Sequence, residues 1–98
     1  MRILITGANG QLGVALQQTL ADHELTLIDL PAVDITNRAA LAAAFAAARP
    51  ELVVHCAAYT DVDGCARNPE LAYQVNAYGT QNVALACQSA GTALVHIS

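Results

Sequence analysis

Gly7-Ala8-Asn9-Gly10-Gln11-Leu12-Gly13 separates a short apolar run, Arg2-Ile3-Leu4-Ile5-Thr6, from a stretch with apolar residues at Leu12, Ala15, Leu16 and Leu20. The first run reads as a strand buried on both faces, and the second has helical spacing. Three glycines at a strand-to-helix junction have a mechanical meaning. Gly7 permits a tight turn, Gly10 lets backbone approach a pyrophosphate with no Cβ in the way, and Gly13 lets the helix pack closely. The N–H groups of Gly10, Gln11 and Leu12 are expected to face the diphosphate, aided by the helix dipole. Such glycines could also be no more than a connection, but their place at the first strand-helix junction makes dinucleotide binding the stronger reading.

Outward from this turn, Leu25-Thr26-Leu27-Ile28-Asp29 returns to strand character and Pro31 stops it, which completes a β-α-β unit. Asp29 lies 16 positions after Gly13, near the offset of about 20 residues expected for an acid that bonds the adenosine ribose hydroxyls. A carboxylate there would repel a 2′-phosphate, and no Arg or Lys follows at Leu30, Pro31 or Ala32, so the residue chemistry leans to NAD(H). The plainer alternative is a solvated strand-end acid. Ala32-Val33-Asp34-Ile35 resembles another strand, but a parallel neighbour needs a crossover of about a dozen residues, so an extended connector is expected. From it, Asp34 could meet the adenine amino group and Ile35 the ring, unless Asp34 is a simple turn residue.

Thr36 or Asn37 can cap the next helix, in which Leu41 and Phe45 share a face, and Arg49 with Pro50 marks its end. Leu52-Val53-Val54-His55-Cys56 is a buried strand, followed by a loop over residues 57–67. There the side chains of Ala57, Ala58, Tyr59 and Thr60 are suited to letting the nicotinamide-side ribose lie against backbone. A long helix runs from Pro69 to about Ala90, with Leu71, Val75, Tyr78, Asn82, Leu85 and Ala86 near one stripe, and residues 92–97 form a last strand. The expected fold is α/β, a Rossmann-like, doubly wound parallel sheet, with residues 1–98 as one incomplete NAD(P)-binding domain. His55 and His96 should be buried structural histidines, and Cys56, Cys65 and Cys87 packing residues.

Composition narrows the function classes. The 98 residues are 55% hydrophobic and 12% charged, but 21 are alanine, and the Ala-rich run at residues 39–48 is too short to span a bilayer. With no signal peptide in view and an odd cysteine number, a cytoplasmic protein is expected, with no membrane partner and no metal. Net charge is −4 and the four arginines are scattered, which argues against nucleic acid. The absence of lysine excludes a Walker A loop.

The run Ile5-Thr6-Gly7-Ala8-Asn9-Gly10-Gln11-Leu12-Gly13 resembles extended short-chain dehydrogenase/reductases, and its Gln-Leu pair is most similar to the dTDP-4-dehydrorhamnose reductases. Leu30-Pro31 with Asp34-Ile35-Thr36, Arg49-Pro50-Glu51, Ala57 to Thr60 with Val62-Asp63, Asn76-Ala77 and Val95-His96-Ile97-Ser98 extend the likeness along the chain. The resemblance implies an NADPH or NADH cofactor held by Gly7, Gly10, Gln11, Leu12, Gly13, Asp29, Asp34, Ile35, Ala57, Ala58, Tyr59 and Thr60, with Asn76 structural beside the site. It implies reduction of the 4-keto group of a dTDP-6-deoxyhexose, a nucleotide-sugar substrate in the full-length enzyme, and is compatible with a homodimer. Ala15 stands where some members carry a Glu associated with an interface metal, His55 replaces a common Asn, and Gly64-Cys65-Ala66 departs from the usual run. The superfamily's proton donor is a Tyr followed four residues later by Lys. Tyr59, Tyr73 and Tyr78 are followed there by Asp63, Ala77 and Asn82, so no catalytic residue is expected within the chain and the 98 residues alone should lack turnover. The alternative is a non-catalytic dinucleotide-binding regulatory module of the same fold.

Overall fold

Residue preferences along the chain resolve into alternating strands and helices: β1 (Arg2–Thr6), α1 (Gln11–Thr19), β2 (Glu24–Ile28), α2 (Arg38–Ala48), β3 (Leu52–His55), α3 (Pro69–Ala90) and β4 (Ala93–His96). The structure, a computed structural model, describes residues 1–29, 32–56 and 69–97, except the side chains of residues 69 and 71–75. Expectations resting on Leu30, Pro31, Ala57, Ala58, Tyr59, Thr60, Cys65 and the rest of the loop at 57–67, on Ser98, and on the side chains of Leu71, Tyr73 and Val75 lie outside these residues.

The four strands pair in parallel in the order β2-β1-β3-β4. The chain moves from β1 outward to β2, then crosses back to the other side of β1 as β3, so the strand order reverses between β1 and β3. In sheets of this kind a crevice opens at that reversal, beyond the carboxyl ends of the strands. Register brings those ends together: Thr6 lies opposite both Ile28 and His55, and His55 opposite His96.

Side-chain alternation along β1 divides the core. Ile3 and Ile5, with Val54 and Ala8, pack on the α1 side against Leu16 and Leu20. Leu4, Val53 and Ile28 pack on the other side against Leu41 and Phe45 of α2 and Val83 and Cys87 of α3. Helices therefore cover both faces, as the doubly wound reading expects. Each large apolar side chain buried in this way contributes about 1.5–3 kcal/mol. The opposite edge of the sheet is closed by polar stitching: Arg2 N–H and side chain meet Glu51, Arg2 Nε donates to the Arg49 carbonyl at 2.6 Å, and Thr92 Oγ1 donates to the Pro50 carbonyl at 3.0 Å.

Residues 32–37 form turns rather than a fifth strand, as the short spacing demands. Asn37, not Thr36, caps α2, accepting the Ala40 N–H at 3.1 Å. Arg49 closes that helix in the left-handed region, at φ 48. Two expectations shift. Over the described side chains of α3, Asn82 and Ala86 of the expected stripe face the core together with Gly79, Val83 and Cys87, while Tyr78 and Leu85 are exposed. His96 is exposed rather than buried, since β4 is the outer strand of the described sheet.

Candidate dinucleotide-binding site

Gly7 takes φ 65, a conformation that L side chains rarely adopt, and so turns the chain sharply at the end of β1. The Gly10 N–H donates to the Gly7 carbonyl at 3.1 Å and closes the turn. This corrects the expectation for Gly10: its N–H is spent inside the loop and does not face a diphosphate. The first helical bond runs from Val14 N–H to the Gly10 carbonyl at 2.9 Å. A helix that starts at Gln11 leaves the N–H groups of Gln11, Leu12 and Gly13 without intrahelical acceptors.

The other two glycines differ in what confines them. A Cβ at Gly13 would overlap the Gly7 carbonyl oxygen and stand 2.7 Å from Ala8 Cα and 2.8 Å from Ala8 carbonyl carbon. Gly13 is therefore required by the protein's own packing. Among the described residues a Cβ at Gly10 would meet only the Gly7 carbonyl oxygen, at 3.4 Å, and Gly10 already has an extended φ and ψ open to any residue. The described residues thus leave space over Gly10, which is the property a backbone cradle for a diphosphate requires.

The turn is anchored from both flanks. Asp29 Oδ2 accepts the Asn9 N–H at 2.9 Å, the Ala8 N–H donates to the Ile28 carbonyl at 3.3 Å, and Gln17 Nε2 donates to the Ala8 carbonyl at 2.8 Å. Asp29 is thus brought to the rim of the glycine turn, as its spacing suggests. Asp34 stands on the connector, where Oδ1 accepts both the Thr36 N–H at 2.9 Å and the Thr36 hydroxyl at 2.7 Å. The Thr36 hydroxyl, then its N–H, hold this carboxyl below its usual range. Asp34 therefore does build a turn, and its partly solvated carboxylate remains at the surface. The half-buried Ile35 packs on α3: its Cδ1 and Cγ1 occupy the notch that a Cβ on Gly79 would need, at 2.5 and 2.6 Å from that position.

Two polar groups that spacing did not single out tie this edge together. His55, fully buried on β3, places Nδ1 2.6 Å from Thr6 Oγ1 and Nε2 3.0 Å from Thr80 Oγ1 of α3. Thr6 Oγ1 also accepts the Cys56 N–H at 3.0 Å. Burial first, and then the His96 ring 5.0 Å away, push the His55 imidazole from its ordinary 6.5 down to about 4. Asn76 lies on α3 one turn before Thr80, on the same side of the helix. Asn82, also buried, donates from Nδ2 to the Ile35 carbonyl at 3.0 Å and accepts Arg38 Nε at 3.1 Å on Oδ1. A threonine directly before the first glycine was the available sequence signal for the first group.

A separate groove of about 370 Å³ lies between α2 and α3, lined by Arg38, Leu41, Phe45, Asn82, Leu85 and Ala86, and includes no residue of the glycine turn. Among the described residues no three His, Cys, Asp or Glu side chains group as metal ligands, and no helix is long and apolar enough to cross a membrane.

Known proteins share this arrangement. A dTDP-4-dehydrorhamnose reductase of Mycobacterium tuberculosis is 43% identical over 99% of the chain, which covers 32% of that protein. The crystal structure of dTDP-4-dehydrorhamnose reductase from Bacillus anthracis in complex with NADP superposes with a TM-score of 0.88 at 44% identity, over 99% of this chain and 36% of that one. A Thermus thermophilus UDP-glucose 4-epimerase complexed with NAD gives 0.80 at 28% identity, over 94% of this chain and 35% of that one. The chain thus spans about a third of the length of these relatives. Residues 1–98, the whole of this chain, match the model of the RmlD substrate binding domain, and the chain belongs to that family.

Proposed function

We propose that this chain is the dinucleotide-binding part of an NAD(P)H-dependent reductase acting on the 4-keto group of a dTDP-6-deoxyhexose, in the cytoplasm. The single observation that carries the reading is the glycine turn at the strand-order reversal, closed by its own hydrogen bond, packed through Gly13 and left open over Gly10. The NADP of the Bacillus anthracis reductase and the NAD of the Thermus thermophilus epimerase support the same class of cofactor. The sugar nucleotide and a homodimeric partner come from the likeness to the dTDP-4-dehydrorhamnose reductases. Free Cys56 and Cys87, in a thiol state suited to a reducing compartment, agree with the cytoplasm.

A bound reduced nicotinamide would supply the hydride. The chain's own residues then bind and orient. The N–H groups of Gln11, Leu12 and Gly13, at the positive end of α1, face the diphosphate. Asp29 receives the adenosine ribose hydroxyls beside the turn that it already braces through Asn9. Asp34 presents a carboxylate on the adenosine side, and residues 57–60 with Asn76 serve the nicotinamide side. None of Tyr59, Tyr73 and Tyr78 is followed four positions later by Lys, so proton delivery is assigned to residues other than these 98.

That same pattern favours one second reading, a regulatory module that binds dinucleotide without turnover. Titration of the purified protein with NADH and NADPH separates both from no binding, and absence of any saturable binding would refute the proposal. Asp29 predicts tighter NADH than NADPH. Turnover of a 4-keto sugar nucleotide by these 98 residues alone, at an enzyme-like rate, would overturn the assignment of proton delivery elsewhere. A reductase carrying a Tyr-x-x-x-Lys segment after Ser98 would turn over, whereas a regulatory module would not.

A further inference from the structure

The connector at residues 32–37 bears Asp34 yet pairs with no strand, so something else must fix where that carboxylate stands. Its local bonds, Thr36 N–H and hydroxyl to Asp34, Asn37 N–H to the Asp34 carbonyl and Val33 N–H to the Asp29 carbonyl, set its shape. They do not attach it to the rest of the domain beyond β2.

The attachment comes from apolar packing of Val33 and Ile35 on the core and from polar contacts of α3, which converge on Ile35, the neighbour of Asp34. Asn82 Nδ2 donates to the Ile35 carbonyl at 3.0 Å, Asn82 Oδ1 accepts Arg38 Nε from the first residue of α2, and the Ile35 side chain fills the notch at Gly79. Asn82 is 3% exposed, so a lost partner would leave a buried amide unsatisfied. A methyl at position 79 would stand 2.5 Å from Cδ1 and 2.6 Å from Cγ1 of Ile35, so the Ile35 side chain would have to move out of the notch.

We infer that Asn82 and Gly79 are positioning residues for the adenosine half of the dinucleotide, a socket on α3 that holds the Asp34-bearing connector at its distance from Asp29 and the glycine turn. The inference rests on the dinucleotide-binding reading. It makes α3 a specificity element that acts through the connector it holds.

The test uses Asn82→Asp, which keeps size and the acceptor for Arg38 but removes the donor to Ile35, and Gly79→Ala, which displaces Ile35 without altering a hydrogen bond. Both are titrated with NADH, 5′-AMP and nicotinamide mononucleotide, with circular dichroism to establish folding. Loss of one hydrogen bond corresponds to about a tenfold effect. NADH and AMP should weaken by about tenfold in Asn82→Asp and measurably in Gly79→Ala, and nicotinamide mononucleotide should be unchanged in both. Amide exchange at Val33 and Asn37 should quicken while that at Arg49, bonded to Phe45 in α2, stays slow. Folded variants with unaltered AMP affinity, or with both half-cofactors weakened alike, would overturn the inference. If the unsubstituted protein bound neither NADH nor AMP, the proposed function itself would fall and take the inference with it.

Discussion

Replacing Gly13 by alanine adds one methyl where the chain has no room for it. The new carbon would overlap the Gly7 carbonyl oxygen and lie 2.7–2.8 Å from two backbone atoms of Ala8, where favourable carbon contacts need about 3.5–4.0 Å. All of the neighbours are backbone, so no rotamer change relieves the overlap, and the start of α1 must lift away from β1. Overpacking of this kind costs about 1–3 kcal/mol, and the better helix propensity of alanine returns up to about 1 kcal/mol. A net loss of roughly 1–2 kcal/mol should lower Tm by about 4–16 °C in a domain of this size. Gly10→Ala is the matched control. Among the described residues its methyl meets only one oxygen, at 3.4 Å, so thermal unfolding should move little beyond the helix-cap preference of under about 1 kcal/mol, while NADH binding falls because the methyl enters the space proposed for the diphosphate. Thermal unfolding followed by circular dichroism, with NADH titration of both variants, separates packing from binding. A Gly13→Ala protein that melts with the unsubstituted one would refute the packing argument; a Gly10→Ala protein that binds NADH normally would refute the assignment of that space.

Other outcomes follow from the same coordinates. His55 titrates near 4 when folded and near 6.5 when unfolded, so between those values the unfolded chain binds more protons and stability falls as pH falls, by roughly 3 kcal/mol at the acid end. Urea unfolding at several pH values should show that slope, and His55→Asn should flatten it. Arg49→Gly relieves a left-handed backbone at φ 48 and should stabilise by about 1 kcal/mol in urea, since the Arg49 carbonyl that receives Arg2 is kept. Phe45→Ala, which empties the contact between α2 and the sheet, should cost about 3–5 kcal/mol, and a change under 1 kcal/mol would show that Phe45 is not a core residue.

The β1-turn-α1-β2 unit was legible because its signals are local: an apolar run, glycines at a junction, an acid at the next strand end. The connector was legible by exclusion, since too few residues separate it from β2 for a parallel pairing. The face of α3 was legible in part: Asn82 and Ala86 of the expected stripe meet the core, but Tyr78 and Leu85 follow the helical period without being buried, and a search for large apolar residues passes over Gly79, Val83 and Cys87. The packing of Ile35 in the notch of Gly79 was not legible, because it depends on a helix that begins 34 residues later. The two hydrogen bonds of Asn82 and the Thr6–His55–Thr80 group are likewise long-range, and no local pattern announces a partner chosen by packing. The Gly10 N–H shows the limit of a motif: spacing located the turn but not which of its donors the turn itself consumes.

The polar stitching of Arg2, Arg49, Glu51, Pro50 and Thr92 lies at the foot of the sheet, away from the carboxyl ends that gather Thr6, Asp29 and His55. Selection can therefore act on the two rims separately. Exchanges at the foot are heard only as changes in how much protein survives folding, whereas exchanges at the crown retune what is recognised, one strand end at a time, over a foundation that need not be rebuilt.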